Sequence, residues 1–284
     1  MSIYDVFGGS QGFDKKKWAE KKQMQRKDAY ETVEAMCQSM VQGGEAYQKY
    51  LDVQGRFDRY SVSNAILVAA VKPEASILKE SKEWRRQGVY VNKDAKQIVI
   101  MEPGDTYTRN DGVKAVSYNP KELYDVSDTS MKKAPDRPQI ELRSLVSALI
   151  DASPVNFEVA EALEVGAYFD KEQNKIFVRK GLGDDQLFSS MAKEVAAAIL
   201  SDKHPAMEDL DFKSYCISYM LSKKYDVSTE GYNFDKLPDR YTGLSPKELR
   251  EELGCMKNVL MEMQLEMCRT LEKESPAKKK EYSR

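Results

Sequence analysis

A chain of 284 residues, 41% hydrophobic and 32% charged, has apolar material for two modest cores and reads as a soluble globular protein. Its net charge of -2 and pI near 5.8 exclude a uniformly basic nucleic-acid coat, so any such site must be a local patch. One histidine, His204, and four scattered cysteines without a CxxC spacing nearly close off histidine catalysis, zinc ribbons and disulfide frameworks.

No apolar run approaches the roughly 18 residues of a membrane span, and the first residues lack the pattern of a secretory signal, so a cytoplasmic protein is expected. Residues 1–13 read as disordered. Asp14 is placed to cap a helix carrying Trp18, Val33, Met36, Cys37 and Met40, ended by Gly43 and Gly44. Between Lys15 and Lys27 seven cations face Glu20 alone, a balance of +6. A second helical stretch carries Tyr47, Tyr50, Leu51 and Phe57. The break from Tyr60 to Asn64 then precedes an apolar run, Ala65 to Val71, which Pro73 terminates.

Lys79 to Gln87 predicts a short helix around Trp84 with Gly88 as its C-cap, in a segment of balance +3 up to Lys96. Alternation predicts strands at Val89–Val91 and Gln97–Met101, with Val113–Tyr118 and Leu123–Val126 as further candidates. Ser127 to Pro138 is the linker. Beyond it, Ile140–Ile150 reads as a helix, Ala167–Phe169 and Lys175–Arg179 as a hairpin, and Asp185–Leu200, Leu210–Tyr225 and Pro246–Leu271 as helices. Leu182 to Asp211 carries seven acids against Lys193 and Lys203, so the two halves differ in sign and the N-terminal one is basic.

The run Arg56-Phe57-Asp58-Arg59-Tyr60-Ser61, with Asn64, Leu67, Trp84, Gly88, Val91, Lys93, Lys96 and Ile98 to Pro103, resembles the N-terminal domain of the ArdC-like antirestriction proteins. Tyr124 to Thr129 resembles the motif closing that domain. The resemblance implies a single-stranded-DNA-binding domain typical of plasmids, conjugative elements and phages. The chemistry of the residues agrees, because binding a single strand without sequence preference needs cations that follow phosphates and aromatic faces on which bases stack. Arg56, Arg59, Lys82, Arg85, Arg86, Lys93 and Lys96 supply the first, Tyr60, Trp84 and Tyr90 the second, and Asn64 either contacts a phosphate or caps the following helix. Two readings stand for Phe57, Tyr60 and Trp84, which serve equally as core residues, and Ser61 fits best as a helix cap.

Ala167 to Asp170 and Ile176 to Val178, followed by Leu182, Gln186-Leu187 and Met191 to Ala197, resemble the metallopeptidase domain that accompanies the first domain in that family. There a helix bears HExxH, whose histidines at i and i+4 share a face and bind zinc while the glutamate deprotonates the bound water. Here the same stretch reads Lys193-Glu194-Val195-Ala196-Ala197, leaving only the relic Glu194, a hydrogen-bonding remnant or, the expectation taken here, an exposed helix residue. The best register puts Tyr215 at the third ligand, with Glu208, Asp209 and Asp211 nearby, and His204 falls at a helix end. Neither a metal nor another cofactor is expected.

Leu249, Leu253, Met256, Leu260, Met263 and Met267 follow a 4,3 spacing, a coiled-coil seam that implies self-association or a protein partner through residues 246–271, or packing on its own domain. The expected class is α+β in two domains, helices with a small sheet over 14–132 and a zincin-like α+β domain over 139–236. A long C-terminal helix and basic tail follow over 245–284. The expected function is nonenzymatic, sequence-nonspecific single-stranded-DNA binding by a mobile-element protein. The alternatives are a residual hydrolase with an unrecognised metal site and a protein–protein interaction module.

Overall fold

A computed structural model describes residues 14–136, 139–205 and 208–274. The disorder expected for 1–13 and for the tail around Lys278 to Lys280 lies outside them. Helix α1 (Lys15–Gln42) starts where expected, because the Asp14 carboxylate accepts from the N–H groups of Lys16 at 3.0 Å and Lys17 at 3.2 Å. Its buried positions, Ala29, Val33, Cys37 and Met40, recur every three or four residues, so only its second half faces the core. Helix α2 (Gly44–Arg56) begins at a forced glycine, since a Cβ on Gly44 would lie 1.5 Å from the Phe234 carbonyl oxygen. The Ser61 hydroxyl caps α3 (Val62–Val71) by accepting from the Asn64 N–H, as expected.

Strand β1 (Leu78–Lys79) leads into α4 (Ser81–Arg86), which turns out through Gly88 at φ +73°. Strands β2 (Ile98–Thr108) and β3 (Lys114–Asp125) form a long antiparallel hairpin, and the sheet order is β1-β3-β2. The strand expected at Val89–Val91 is reduced to one bridge, Val91 to Thr129, because Val89 is committed to a small core with Trp84 and Val126.

In the second half, α5 (Leu142–Ala152) precedes β4 (Asn156–Ala160), β5 (Ala167–Asp170) and β6 (Lys175–Arg179). The expected β5–β6 hairpin is present, and β4 joins it in parallel on the other edge of β6. Helices α6 (Asp184–Lys203), α7 (Leu210–Lys224) and α8 (Pro246–Glu274) complete an α+β fold with one small sheet in each half.

The core does not stop at the linker. One continuous apolar cluster runs from Ala29 to Leu271, and α2 packs on α7, where a Cβ on Gly55 would come 2.8 Å from the Met220 carbonyl oxygen. Polar ties reinforce the contact: the Tyr219 hydroxyl donates to Asp52 at 2.7 Å and Lys224 pairs with Asp58 at 2.9 Å. The α8 seam is also internal. All six of its apolar residues are fully buried against the rest of the chain, mainly α5 and α7, so of the two alternatives the seam takes packing on its own chain and leaves no stripe for self-association.

Candidate functional site

The expected nucleic-acid residues divide by where the fold sends them. Arg56 turns inward, donating from Nε to the Ala75 carbonyl at 3.0 Å and from Nη2 to the Pro73 carbonyl, which fixes the chain leaving α3. Asn64, 8% exposed, pairs both ways with the Met101 backbone, donating to its oxygen at 3.0 Å and accepting from its N–H at 2.9 Å. It thereby acts as a side-chain rung between α3 and β2, not as a phosphate contact. Trp84 is 1% exposed, and its indole N–H donates to the Tyr124 carbonyl at 2.9 Å. A ring enclosed in this way offers no face to a base, so its role is corrected from stacking to core. Tyr60 is half-buried and stacked on Phe57 at 5.1 Å between centroids, and burial pushes its phenol up to about 12.

The remaining candidates face solvent. Arg85 and Arg86 end α4 and Lys93 lies in the loop that follows, all three exposed and without a side-chain partner among the described residues. Tyr90 is 62% exposed, its backbone N–H held by the Ser130 hydroxyl at 3.1 Å. Lys82 pairs with Glu80 at 2.8 Å, Lys96 donates to the Val71 carbonyl at 2.7 Å, and Arg59 is exposed at the end of α2.

A cleft in the second half collects residues of the segment whose sequence resembles a metallopeptidase domain. Ala167, Tyr168 and Phe169 of β5 form one wall, Lys193, Glu194 and Ala197 of α6 the floor, and Asp211 and Ser214 of α7 the other wall. Glu194 is not the exposed residue expected. Its carboxylate accepts from the Phe169 N–H at 2.9 Å, and burial raises its pKa against that hydrogen bond. Lys193 Nζ is ion-paired with Asp211 and stands 3.8 Å from Glu194. Tyr215 turns away: its hydroxyl accepts from the Asn233 N–H at 2.6 Å and its ring packs on Tyr232 and Phe234. The α7 acid in register is therefore Asp211, one turn earlier, which the sequence reading left among three nearby acids. His204 caps the exposed C-terminal end of α6, as expected.

These residues do not fit a metal ion. The cleft brings together two carboxylates, Ala197 contributes no donor atom, and an ammonium already pairs with one carboxylate and stands beside the other. No group of three or more His, Cys, Asp or Glu suited to a metal occurs among the described residues. No helix among them is long and apolar enough to cross a membrane.

No protein-family model and no curated protein matches the chain. Solved structures do match. The fold is similar to the metal-free crystal structure of the antirestriction ArdC protein from plasmid R388, with a TM-score of 0.52 and 11% identity over 74% of this chain and 86% of that one. The Mn(II)-bound structure of the same protein matches with a TM-score of 0.47 and 12% identity, over 77% and 86%. The class is thus an α+β protein with helices and a small sheet before a second sheet-and-helix half. More particularly, the chain has an ArdC-like fold.

Proposed function

We propose that this protein binds single-stranded DNA without sequence preference, as a nonenzymatic component of a mobile genetic element acting in the cytoplasm. Its second half is a scaffold whose peptidase-like cleft is silent. The observation that carries the reading is the solvent-facing set Lys82, Arg85, Arg86 and Lys93 beside the open ring of Tyr90, on a chain whose net charge is -2. A local basic patch on an acidic chain attracts a polyanion to one place, and an exposed ring supplies the stacking platform. The ArdC-like fold supports the mobile-element setting, since the similar solved protein is a plasmid antirestriction protein. Shielding incoming DNA or blocking restriction fits that setting. The silence of the cleft rests on Lys193 and Ala197, neither of which can ligate a cation at neutral pH.

Fluorescence anisotropy of a labelled oligothymidine with the full-length protein tests the reading. Binding is expected at about 50 mM salt, with log affinity falling against log salt by about 0.7 per phosphate contact. Replacing Arg85, Arg86 and Lys93 by alanine is expected to weaken binding and flatten that slope. An intact protein that ignores the oligonucleotide at low salt, or a triple variant that binds unchanged, overturns the proposal.

A further inference from the structure

The sequence places the stacking rings at Tyr60, Trp84 and Tyr90, but the fold leaves only Tyr90 fully open. The other aromatic side chains of the first half that are about half exposed or more are Trp18, Tyr30, Tyr107 and Tyr118, all on α1 or the β2–β3 hairpin. These two elements share a second property. From Lys15 to Asp28 no residue of α1 is buried, and from Glu102 to Asn119 none of the hairpin is. A two-stranded hairpin with neither face covered is marginal in water, so such an arm is built to be covered by something else.

The two elements meet. Lys22 Nζ donates to the Pro120 carbonyl at 2.9 Å, Arg26 Nε to the Tyr118 carbonyl at 3.0 Å, and Gln25 and Lys21 reach the Glu122 carboxylate, each at 2.7 Å. Alternation along β3 puts Lys114, Val116 and Tyr118 on the same side as Pro120 and Glu122, the side against which α1 lies. Opposite them in register stand Pro103, Thr106 and Thr108, with Gly104 and the exposed Asp105 in the bulge between the first two, so Lys114 is the one charged residue in register on the uncovered part of this side. Tyr30 is one helical turn beyond Arg26, and the shallow groove they share is lined also by Met24 and Lys27 and by two acids, Glu20 and Glu31, the latter 3.7 Å from the Lys27 ammonium in an exposed pair that a phosphate can displace. Within this surface the segment from Lys15 to Lys27 has a balance of +6, and Lys15, Lys16 and Lys114 have no side-chain partner among the described residues.

We propose that this corner between α1 and the hairpin is a track for a nucleic-acid single strand, with Tyr30 and Tyr118 as stacking platforms and Arg26, Lys27 and Lys114 facing phosphates. The inference rests on the single-strand reading above and moves its aromatic contacts to residues outside Arg56 to Lys96. Exposed rings combined with an excess of cations fit unstacked bases on a polyanion. A partner protein would fit the rings and leave the charge excess unmatched.

The test uses the full-length protein and the same labelled oligothymidine. Removing both rings in Tyr30→Ala/Tyr118→Ala is expected to raise the Kd at least about tenfold, since each stacked base contributes roughly a factor of five or more. Tyr30→Phe/Tyr118→Phe keeps both faces and is expected to restore binding. Lys114→Glu, which alters no ring, is expected to weaken binding and reduce its salt dependence. Failure of the unaltered protein to bind at low salt overturns the function proposed above. Binding by the unaltered protein that survives the alanine pair, or that falls equally in the alanine and phenylalanine pairs, overturns the track alone.

Discussion

The ammonium of Lys193 on α6 is ion-paired with the carboxylate of Asp211 on α7, at the mouth of the cleft where Glu194 accepts from the backbone of β5. A cation supplied by the chain itself thus joins the same helices that a bound metal would join. This arrangement sets one ammonium beside two carboxylates, and in the silent-cleft reading proposed above Glu194 has no zinc-bound water to deprotonate.

Restoring the donors is expected to restore the ion. Lys193→His/Ala197→His places imidazoles at i and i+4 of α6 opposite Asp211, a set of two nitrogens and one carboxylate that suits zinc. Equilibrium dialysis against zinc is expected to show one ion per double-variant chain and none for the unaltered protein. Stoichiometric zinc in the unaltered protein, or none in a folded double variant, contradicts this account of the cleft.

Asn64 and Trp84 are expected to behave as structural residues. Asn64→Ala leaves the Met101 N–H and carbonyl unpaired in a buried setting, at a cost of about 1–3 kcal/mol per unsatisfied group. Trp84→Ala empties most of the small core with Val89 and Val126 and is expected to cost about 3–5 kcal/mol. Denaturant titrations measure both. If Asn64→Ala leaves the midpoint unmoved while it weakens oligonucleotide binding, the contact reading was right after all.

Much of the fold is legible in local chemistry, because caps and apolar spacing act within a few residues. Asp14 and Ser61 cap as read, and helices α1, α3 and α6 fall close to their apolar patterns. What fails to show is whatever depends on distant partners. An asparagine three residues after Ser61 reads as a cap or a phosphate contact, and only the approach of β2 reveals its rung. Glu194 reads as exposed until β5 brings the Phe169 N–H to it. Strand β4, with no buried residue, has no alternation to find, and of the outer hairpin only the Val113–Tyr118 side is read, because β2 beyond Met101 has no buried residue either. The a/d spacing of α8 is equally satisfied by another chain and by α5 and α7, so the pattern alone cannot choose.

Asp125 gives the closing motif of the first half a physical role. Its carboxylate accepts from the N–H groups of Ser76 at 2.7 Å, Ile77 at 3.1 Å and Ser127 at 2.9 Å. Burial alone would raise its pKa, but these donors outweigh burial and hold it below the ordinary 3.8. A depressed carboxylate contributes stability that is full above its unfolded-state value and is lost as pH falls through the folded one. Asp125→Asn is therefore expected to lower stability near neutral pH and to flatten the decline below about pH 4. Thermal melts from pH 7 to pH 2 check this, and an unchanged acid slope in the variant would sink it.

The interface between α2 and α7 makes a last prediction about where the chain can be cut. Tyr47, Tyr50, Leu51 and Val53 of α2 are all buried, and in the whole chain part of their cover comes from α7, with Phe212, and from Tyr241. A fragment ending at Lys133 keeps its own sheet but exposes that face, and it also loses the Asp52–Tyr219 and Asp58–Lys224 ties. Uncovering several large apolar side chains, at roughly 1.5–3 kcal/mol each, exceeds the stability margin of a domain this size. Such a fragment is expected to lack a cooperative unfolding transition and sharp near-ultraviolet circular dichroism, even though its charged residues are intact. Gly55→Val in the full chain applies the same logic more locally, because its side chain would press on the Met220 backbone and part the helices. A fragment that melts cooperatively and binds oligothymidine as the whole protein does would show that the two halves merely touch, and that the shared core contributes little to the first.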